Sequence, residues 1–335
     1  MIVGISTPEL PPNCFGIGIY TSDLIKALQK KGIELYVLGD IGKHKLRGYA
    51  TTKSSNVRRK WIDFMVRYWM GLRELEKRAD VYHNNVHFMP RAKIPSLTVT
   101  HTFTSQHVSR FKFLTRAEVS LIKRYDKIVA VSPTIEKLLV EHKVPKEKLV
   151  TIPPGIWTED FKDLKKEDFV MYSGRFCMDK NTGTLLEASN GFKAKLVMTG
   201  GGGAFDRDYH IEKYRNVDCK GYVKKEIHRK LLGSAKVFVL PSRYETFGIS
   251  ALEAMASGSA VVLSKNAGIS EYLEHGKHAL IIEPTEENIV KAVNTLLEDD
   301  RLRKKLSRNG KRKAQEFHWK NIVDKYIEIY REMLH

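Results

Sequence analysis

Val237-Phe238-Val239-Leu240-Pro241-Ser242-Arg243-Tyr244-Glu245-Thr246-Phe247-Gly248-Ile249-Ser250-Ala251-Leu252-Glu253-Ala254-Met255-Ala256-Ser257-Gly258 is the stretch on which the fold reading turns. Residues 237–240 form a short apolar run of the kind a buried parallel strand carries. The run delivers the chain to a polar loop that ends at Gly248, where the lack of a side chain lets backbone approach a ligand closely. Ile249–Ala256 reads as a helix whose first N–H groups point back at that loop. Helix N-termini suit phosphate oxygens and sugar hydroxyls. Glu245 stands at the helix mouth, and Glu253, slightly over two turns further on, lies on nearly the same face.

The same strand–loop–helix unit repeats on both sides. Met1–Ser6 reads as a strand, residues 7–18 as a loop with Pro and Gly, and Ile19–Lys31 as a helix with Leu24, Ile25 and Leu28 on one face. Glu34–Leu38, Val81–His83, Leu97–His101, Ile128–Val131 and Leu149–Ile152 read as further strands. Pro153-Pro154-Gly155 and the polar run Thr158 to Asp168 interrupt the pattern and place a linker there. It restarts with strands at Phe169–Tyr172, Lys195–Thr199, Val217–Lys220, Val237–Leu240, Ala260–Leu263 and Ala279–Ile282, and with a helix beginning near Asn181. Strands alternating with helices predict an α/β chain of parallel sheets. Two strand–glycine-loop–helix starts half a chain apart predict two Rossmann-like domains facing each other across a cleft. The first would span 1–155 and the second 165–315, with the helix in 316–335 returning to the first.

Composition agrees with two domains. The chain has 335 residues, against a prior of about 150 per domain. Hydrophobic residues at 42% are enough to fill cores, which excludes a disordered chain. Cys14, Cys177 and Cys219 are scattered, with no CxxC pair and no zinc-like set, so a reducing, cytoplasmic setting is expected. No apolar run approaches the ~20 residues that cross a bilayer, and the first residues read as a strand rather than a leader. The formal charge of +18 implies an anionic partner, although Lys- and Glu-rich surfaces also occur in heat-adapted proteins.

Three further motifs carry chemistry. In Ser173-Gly174-Arg175-Phe176-Cys177-Met178-Asp179-Lys180-Asn181 a glycine follows a strand and two cations stand five residues apart, a spacing that can clamp a diphosphate. Phe15-Gly16-Ile17-Gly18-Ile19-Tyr20 is a glycine loop before a helix, but not a dinucleotide fingerprint, because Thr21 stands where GxGxxG needs glycine. His101 ends Leu97-Thr98-Val99-Thr100-His101, at the carboxyl end of a strand where open α/β sheets bind ligands, and His83 has a similar position with a weaker case.

With these motifs the chain resembles the retaining family 4 glycosyltransferases of GT-B fold, also called glycosyl transferases group 1. Two glutamates separated by seven residues, with Phe247-Gly248 after the first and Ala254-Met255-Ala256-Ser257-Gly258 after the second, look like that family's donor-site signature. The resemblance implies that Glu245 contacts hydroxyls of the transferred sugar and Glu253 the donor ribose, with Thr246, Phe247, Gly248 and Ile249 lining the donor. It implies that Arg175 and Lys180, with Gly174, hold the diphosphate, that Gly16 and Gly18 approach the donor phosphate and acceptor, and that His101 lies near the donor sugar. Glu245, Arg175, Lys180 and His101 are thus the candidate catalytic residues. Ala267-Gly268-Ile269-Ser270-Glu271, Thr199 to Gly203 and Tyr125 to Ser132 look like weaker family elements. Ser259, Ala267 and Ser270 depart from the pattern, which puts donor identity in question more than fold. Asp206-Arg207-Asp208 resembles a metal-binding pair of the other major glycosyltransferase fold but reads as a solvated loop, so neither metal nor cofactor is expected.

The expected function is transfer of a sugar from a UDP- or GDP-sugar to a hydroxyl of a glycan or lipid-linked acceptor, with retention at the anomeric carbon. Residues 43–78 hold eleven Lys or Arg and three acids, with Trp61, Met65, Tyr68, Trp69 and Leu72 at helical spacing. Such a stripe suits either an anionic membrane surface or packing against its own domain. Nucleic acid is a weaker partner, because no known binding module is present. A sugar-nucleotide epimerase, a phosphorylase, and a basic membrane- or nucleic-acid-binding protein with a degenerate site stay open as alternatives.

Overall fold

Short β-branched runs such as Val237–Leu240 and Val261–Leu263 are fully buried, as strands covered on both faces by helices require. The structure, a computed structural model, describes residues 1–7, 16–39, 57–85, 91–102, 112–201 and 211–335, and the side chains of 39, 57–67 and 112–114 are outside that description. The chain forms two units, one of Met1–Gly155 with Trp319–His335 and one of Ile156–His318.

The first unit runs β1 (Ile2–Thr7), α1 (Gly16–Lys30), β2 (Glu34–Gly39), α2 (Val57–Arg78), β3 (Val81–Asn84), β4 (Ser96–Thr100), α3 (Lys112–Ile122), β5 (Lys127–Ala130), α4 (Pro133–Glu141) and β6 (Leu149–Thr151). Its described strands pair in parallel in the order β2-β1-β3-β4-β5-β6. Ser132 caps α4 by accepting a hydrogen bond from the Ile135 amide at 3.4 Å, with Pro133 at the first helical position where its missing N–H costs nothing.

The second unit runs β7 (Glu167–Gly174), α5 (Thr182–Ser189), β8 (Lys195–Gly200), β9 (Val217–Cys219), α6 (Lys225–Ser234), β10 (Ala235–Leu240), α7 (Ile249–Ala256), β11 (Ala260–Ser264), β12 (Leu280–Ile282), α8 (Glu286–Glu298) and α9 (Asp300–Ala314). The order is β12-β11-β10-β7-β8-β9, again parallel. Strand order reverses at β7, which has β8 on one side and β10 on the other. A switch point of this kind opens a crevice at the carboxyl ends of the strands.

Helix α10 (Trp319–Glu332) returns to the first unit. The Trp319 ring fills the space beside Gly155, where a Cβ would come within 2.6 Å of it. Ile322, Val323, Tyr326 and Tyr330 bury one face, and Lys31–Asp324 pairs at 2.6 Å on the rim.

Four expectations change. Gly16 and Gly18 lie in the first turn of α1 rather than in a loop, with Gly16 exposed and Gly18 buried. The polar run Thr158 to Asp168, read as part of a linker, packs into the second unit. Phe161 is an apolar anchor in its core, and Leu164 N–H and Lys166 Nζ donate to Gly233 O at 3.2 and 2.7 Å. His83 is a core residue. Its Nδ1 lies 2.6 Å from the Tyr330 hydroxyl and its Nε2 3.1 Å from Asn85 Oδ1. The basic stripe of α2 divides: Tyr68 and Leu72 are core, while Trp69 remains half exposed. Trp61 and Met65 fall outside the described side chains. Cys14, Phe15, residues 43–56, Gly202-Gly203 and Asp206-Arg207-Asp208 lie outside the described residues.

Candidate functional site

The switch point of the second sheet brings two loops together. The loop after β7 passes a one-turn helix, Met178–Lys180, and reaches Asn181 in the left-handed conformation, φ 57°. The loop after β10 is fastened to it: the Arg243 and Tyr244 amides both donate to Asp179 O, at 2.8 and 3.1 Å. Arg243 Nε donates to Asn181 Oδ1 at 2.9 Å, and Asn181 Nδ2 donates to Pro284 O at 2.9 Å. Every polar atom of the Asn181 amide that these bonds use is thereby committed, which holds a conformation a non-glycine residue seldom adopts.

Glu245 is set by its backbone. It bridges Ala267 in parallel, and Gly268 N–H donates to Glu245 O at 3.0 Å. Two residues on, Ile269 N–H donates to Phe247 O at 2.7 Å. Thr246 stands half-buried between these bonds, and Phe247 packs on Phe317 and Tyr272 with ring centroids 5.9 and 6.1 Å away. Gly248 has φ 106°, and a Cβ there would meet Leu240 at 3.2 Å and Ile269 at 3.3 Å. Only glycine suits both that dihedral and that gap before α7 starts at Ile249.

The Lys180 ammonium and the Glu245 carboxylate form an ion pair, with side chains 16% and 13% exposed. Arg175 is exposed, and its backbone carbonyl accepts the Tyr172 hydroxyl at 2.7 Å. Glu253 is half-buried on α7.

The ends of β7 and β8 are bare backbone. Gly200, φ 109°, leaves so little room that a Cβ would stand 2.1 Å from Gly174 O, and Gly201 N–H donates to that oxygen at 3.3 Å. The Tyr222 hydroxyl donates to Gly201 O at 2.8 Å. Ser173 Oγ lies 2.9 Å from His228 Nε2 of α6. Burial, then the neighbouring Arg229 and Lys225, lower the His228 pKa to about 4, so the ring is neutral at pH 7. Sequence reading missed His228 and Tyr222, since neither lies in a recognisable motif and the pairing spans 55 residues.

Lys180, Glu245, Gly174, Arg175, Thr246 to Ile249 and Glu253 therefore belong to one unit and its switch point. Gly16, Gly18 and His101 belong to the other. There His101 directly follows β4 and meets the Tyr20 ring of α1 edge-on, centroids 4.7 Å apart. Among the described residues no three His, Cys, Asp or Glu side chains gather as a metal site.

The arrangement is that of a ligand site for a polyhydroxylated anion: a carboxylate for hydroxyls, cations and a helix N-terminus for phosphate, and bare backbone for close approach. Similar folds are known. Sucrose-phosphate synthase from Thermosynechococcus elongatus superposes with a TM-score of 0.84 at 21% identity, covering 99% of this chain and 98% of that one. Anabaena HepE, solved with UDP and glucose, gives a TM-score of 0.83 at 17% identity, covering 99% and 100%. Both sheets and these likenesses make the fold GT-B, with two Rossmann-like domains. Mannosylfructose-phosphate synthase of Agrobacterium fabrum is 26% identical over 252 residues, 65% of this chain and 56% of that protein. The chain spans about half the length of the curated relatives it matches, 45% and 56% for two of them. The family model for Glycosyltransferase Family 4 matches residues 16–160 and that for Glycosyl transferases group 1 matches 156–313. The two matches follow one another along nearly the whole chain, and it belongs to the family 4 glycosyltransferases.

Proposed function

We propose that the chain is a retaining glycosyltransferase that moves a hexose from a UDP- or GDP-sugar to a hydroxyl of a glycan or lipid-linked acceptor. The observation that carries this reading is the Lys180–Glu245 pair, held at the switch point by the backbone bonds of Asp179 and Gly268. When a nucleotide-sugar enters, the Lys180 ammonium exchanges its carboxylate for diphosphate oxygens, and Glu245 is released to accept hydrogen bonds from sugar hydroxyls. Arg175 and the N-terminus of α7 add positive charge where the leaving diphosphate gains negative charge. Glu253 accepts from the ribose hydroxyls, and the bare ends of β7 and β8 let the nucleotide lie against backbone. The acceptor oxygen attacks on the face from which the diphosphate leaves. A departing phosphate oxygen takes its proton, so no side-chain nucleophile is needed and the protein acts through position and charge. These groups supply the charge that the reading needs without a metal. On the first unit His101, Gly16 and Gly18 serve the donor sugar and acceptor.

The HepE structure with UDP and glucose supports a UDP-sugar. We place the protein in the cytoplasm at a membrane surface. Trp69 and Met70, 49% and 63% exposed, stand on the basic helix α2 with the Arg73 guanidinium 3.8 Å from the Trp69 ring centroid. No helix among the described residues is long and apolar enough to cross a membrane.

The test is release of nucleoside diphosphate from a panel of nucleotide-sugars, with Glu245→Gln alongside. Release from one donor, lost in the variant, establishes donor and site. Absence of release and of thermal stabilisation with every donor rejects the reading.

A further inference from the structure

Helix α9 carries Arg301, Lys304, Lys305, Arg308 and Arg312, all exposed. At 100° per residue these five fall within an arc of about 100°. They extend over about 17 Å of helix. The opposite face is clamped. Leu306, Gly310 and Ala314 are buried, and a Cβ on Gly310 would stand 3.1 Å from His278 O. Arg303 turns inward and donates to Leu296 O and Leu297 O at 2.8 and 3.1 Å, and Ser307 Oγ donates to Gly258 O at 2.6 Å. The stripe is therefore rigid and cannot roll away from solvent.

Its cations are unspent. Lys311 and Lys313, at the sides of the helix, pair with Asp163 at 3.2 Å and Glu316 at 2.6 Å. In the stripe itself Lys304 has only Asp300 at 3.9 Å, and no ion pair among the described residues engages Arg301, Lys305, Arg308 or Arg312. Arg301/Lys305, Lys304/Arg308 and Arg308/Arg312 are like charges at i,i+4, a spacing that weakens a helix. The arrangement costs the isolated fold stability and gains only when an extended anion lies along it. Within α9 the arc contains no carboxylate, no apolar side chain and no aromatic group. A convex row of long, flexible cations matches a flat, diffuse negative surface, which is what anionic lipid headgroups present.

We propose that the outer face of α9 docks the second unit on an anionic bilayer through electrostatics alone, separately from α2 and independently of the donor site. Each cation neutralised lowers partition by about fivefold. Replacing four lowers it by about 600-fold.

The experiment is cosedimentation of the whole chain with vesicles of phosphatidylcholine alone or mixed with phosphatidylglycerol, at low and high salt. The variants are R301Q/K305Q/R308Q/R312Q and, in α2, W69S/M70S, each checked by thermal unfolding. The expected result is tighter binding to anionic than to neutral vesicles, with that difference lost at high salt and in the quadruple variant, and with unfolding temperature kept or raised. Equal binding to neutral vesicles, or a quadruple variant that binds like the parent while W69S/M70S does not, overturns it. So does failure to bind anionic vesicles combined with salt-sensitive binding to duplex DNA or RNA that the quadruple variant loses, which would make the stripe a nucleic-acid surface.

Discussion

Glu245 owes its place to main-chain bonds from Gly268 and Ile269, so its side chain can change without moving the loop. The same holds for Arg175, whose carbonyl is anchored by Tyr172 while its guanidinium is exposed. Arg175→Ala should therefore fold normally and lower turnover about a hundredfold, the scale for losing one group that meets developing charge. Steady-state kinetics beside an unchanged unfolding temperature check this. His83 sets a pH dependence. Asn85 Oδ1 can only accept, so His83 Nε2 carries the proton and Nδ1 accepts from the Tyr330 hydroxyl. Burial lowers the His83 pKa to about 4. An unfolded chain takes up this proton near pH 6.5, whereas the native chain resists until about 4, so stability is complete above 6.5 and falls as pH drops through that window. The full loss is about 3 kcal/mol. Urea unfolding of the parent and His83→Gln at pH 7 and near pH 4.5 should show a smaller acid penalty in the variant. His101 and His83 are alike in sequence, each at a strand end. Only packing separates them, because the Tyr330 that buries His83 comes 247 residues later.

At the scale of elements, strand positions were legible to within a residue or two because buried strands are rich in apolar and β-branched residues, even where Ser96, Thr98, Thr100 and His83 interrupt the run. Helix α7 was read at Ile249–Ala256 and is found there. Starts set by backbone geometry were less legible. Helix α1 begins at Gly16, three residues earlier than its apolar stripe suggests, since the first turn of a helix needs no apolar side chain. The stripe of α2 could not be divided between core and surface by spacing alone. Its Tyr68 is buried against Tyr82, hydroxyls 2.5 Å apart, while the adjacent Trp69 faces out. The glycine at the end of β8 has a sharper meaning in three dimensions. Gly200→Ala would bring a methyl against Gly174 O at a positive φ. It should cost about 2 kcal/mol or more. Chemical denaturation is the measurement, and donor binding should fail along with it if the two strand ends separate.

For the whole molecule, the decisive feature is that the chain leaves the first unit at Gly155 and re-enters it at Trp319. Ending the chain at His318 would remove the cover that Trp319, Ile322, Val323, Tyr326, Ile327, Ile329 and Tyr330 provide. Their burial is worth about 10 kcal/mol or more, comparable with the stability of a domain. Such a truncation should leave the first unit unable to hold its native packing, seen as dye binding and loss of a cooperative transition, while the second unit still unfolds cooperatively.

The sequence by itself determined the α/β class, the two repeats of the strand–loop–helix unit, the loops that carry Arg175, Lys180 and Glu245, and the helix that carries Glu253. Each of those follows from short-range rules: strand burial, helix period and the dihedral freedom of glycine. Tertiary structure alone decided that Lys180 meets Glu245, that His228 meets Ser173, that His83 is core, and that the arc of five cations on α9 faces solvent while Arg303 turns inward. Those outcomes depend on which elements pack side by side. Contacts across 65 or 247 residues leave no local trace in composition or spacing.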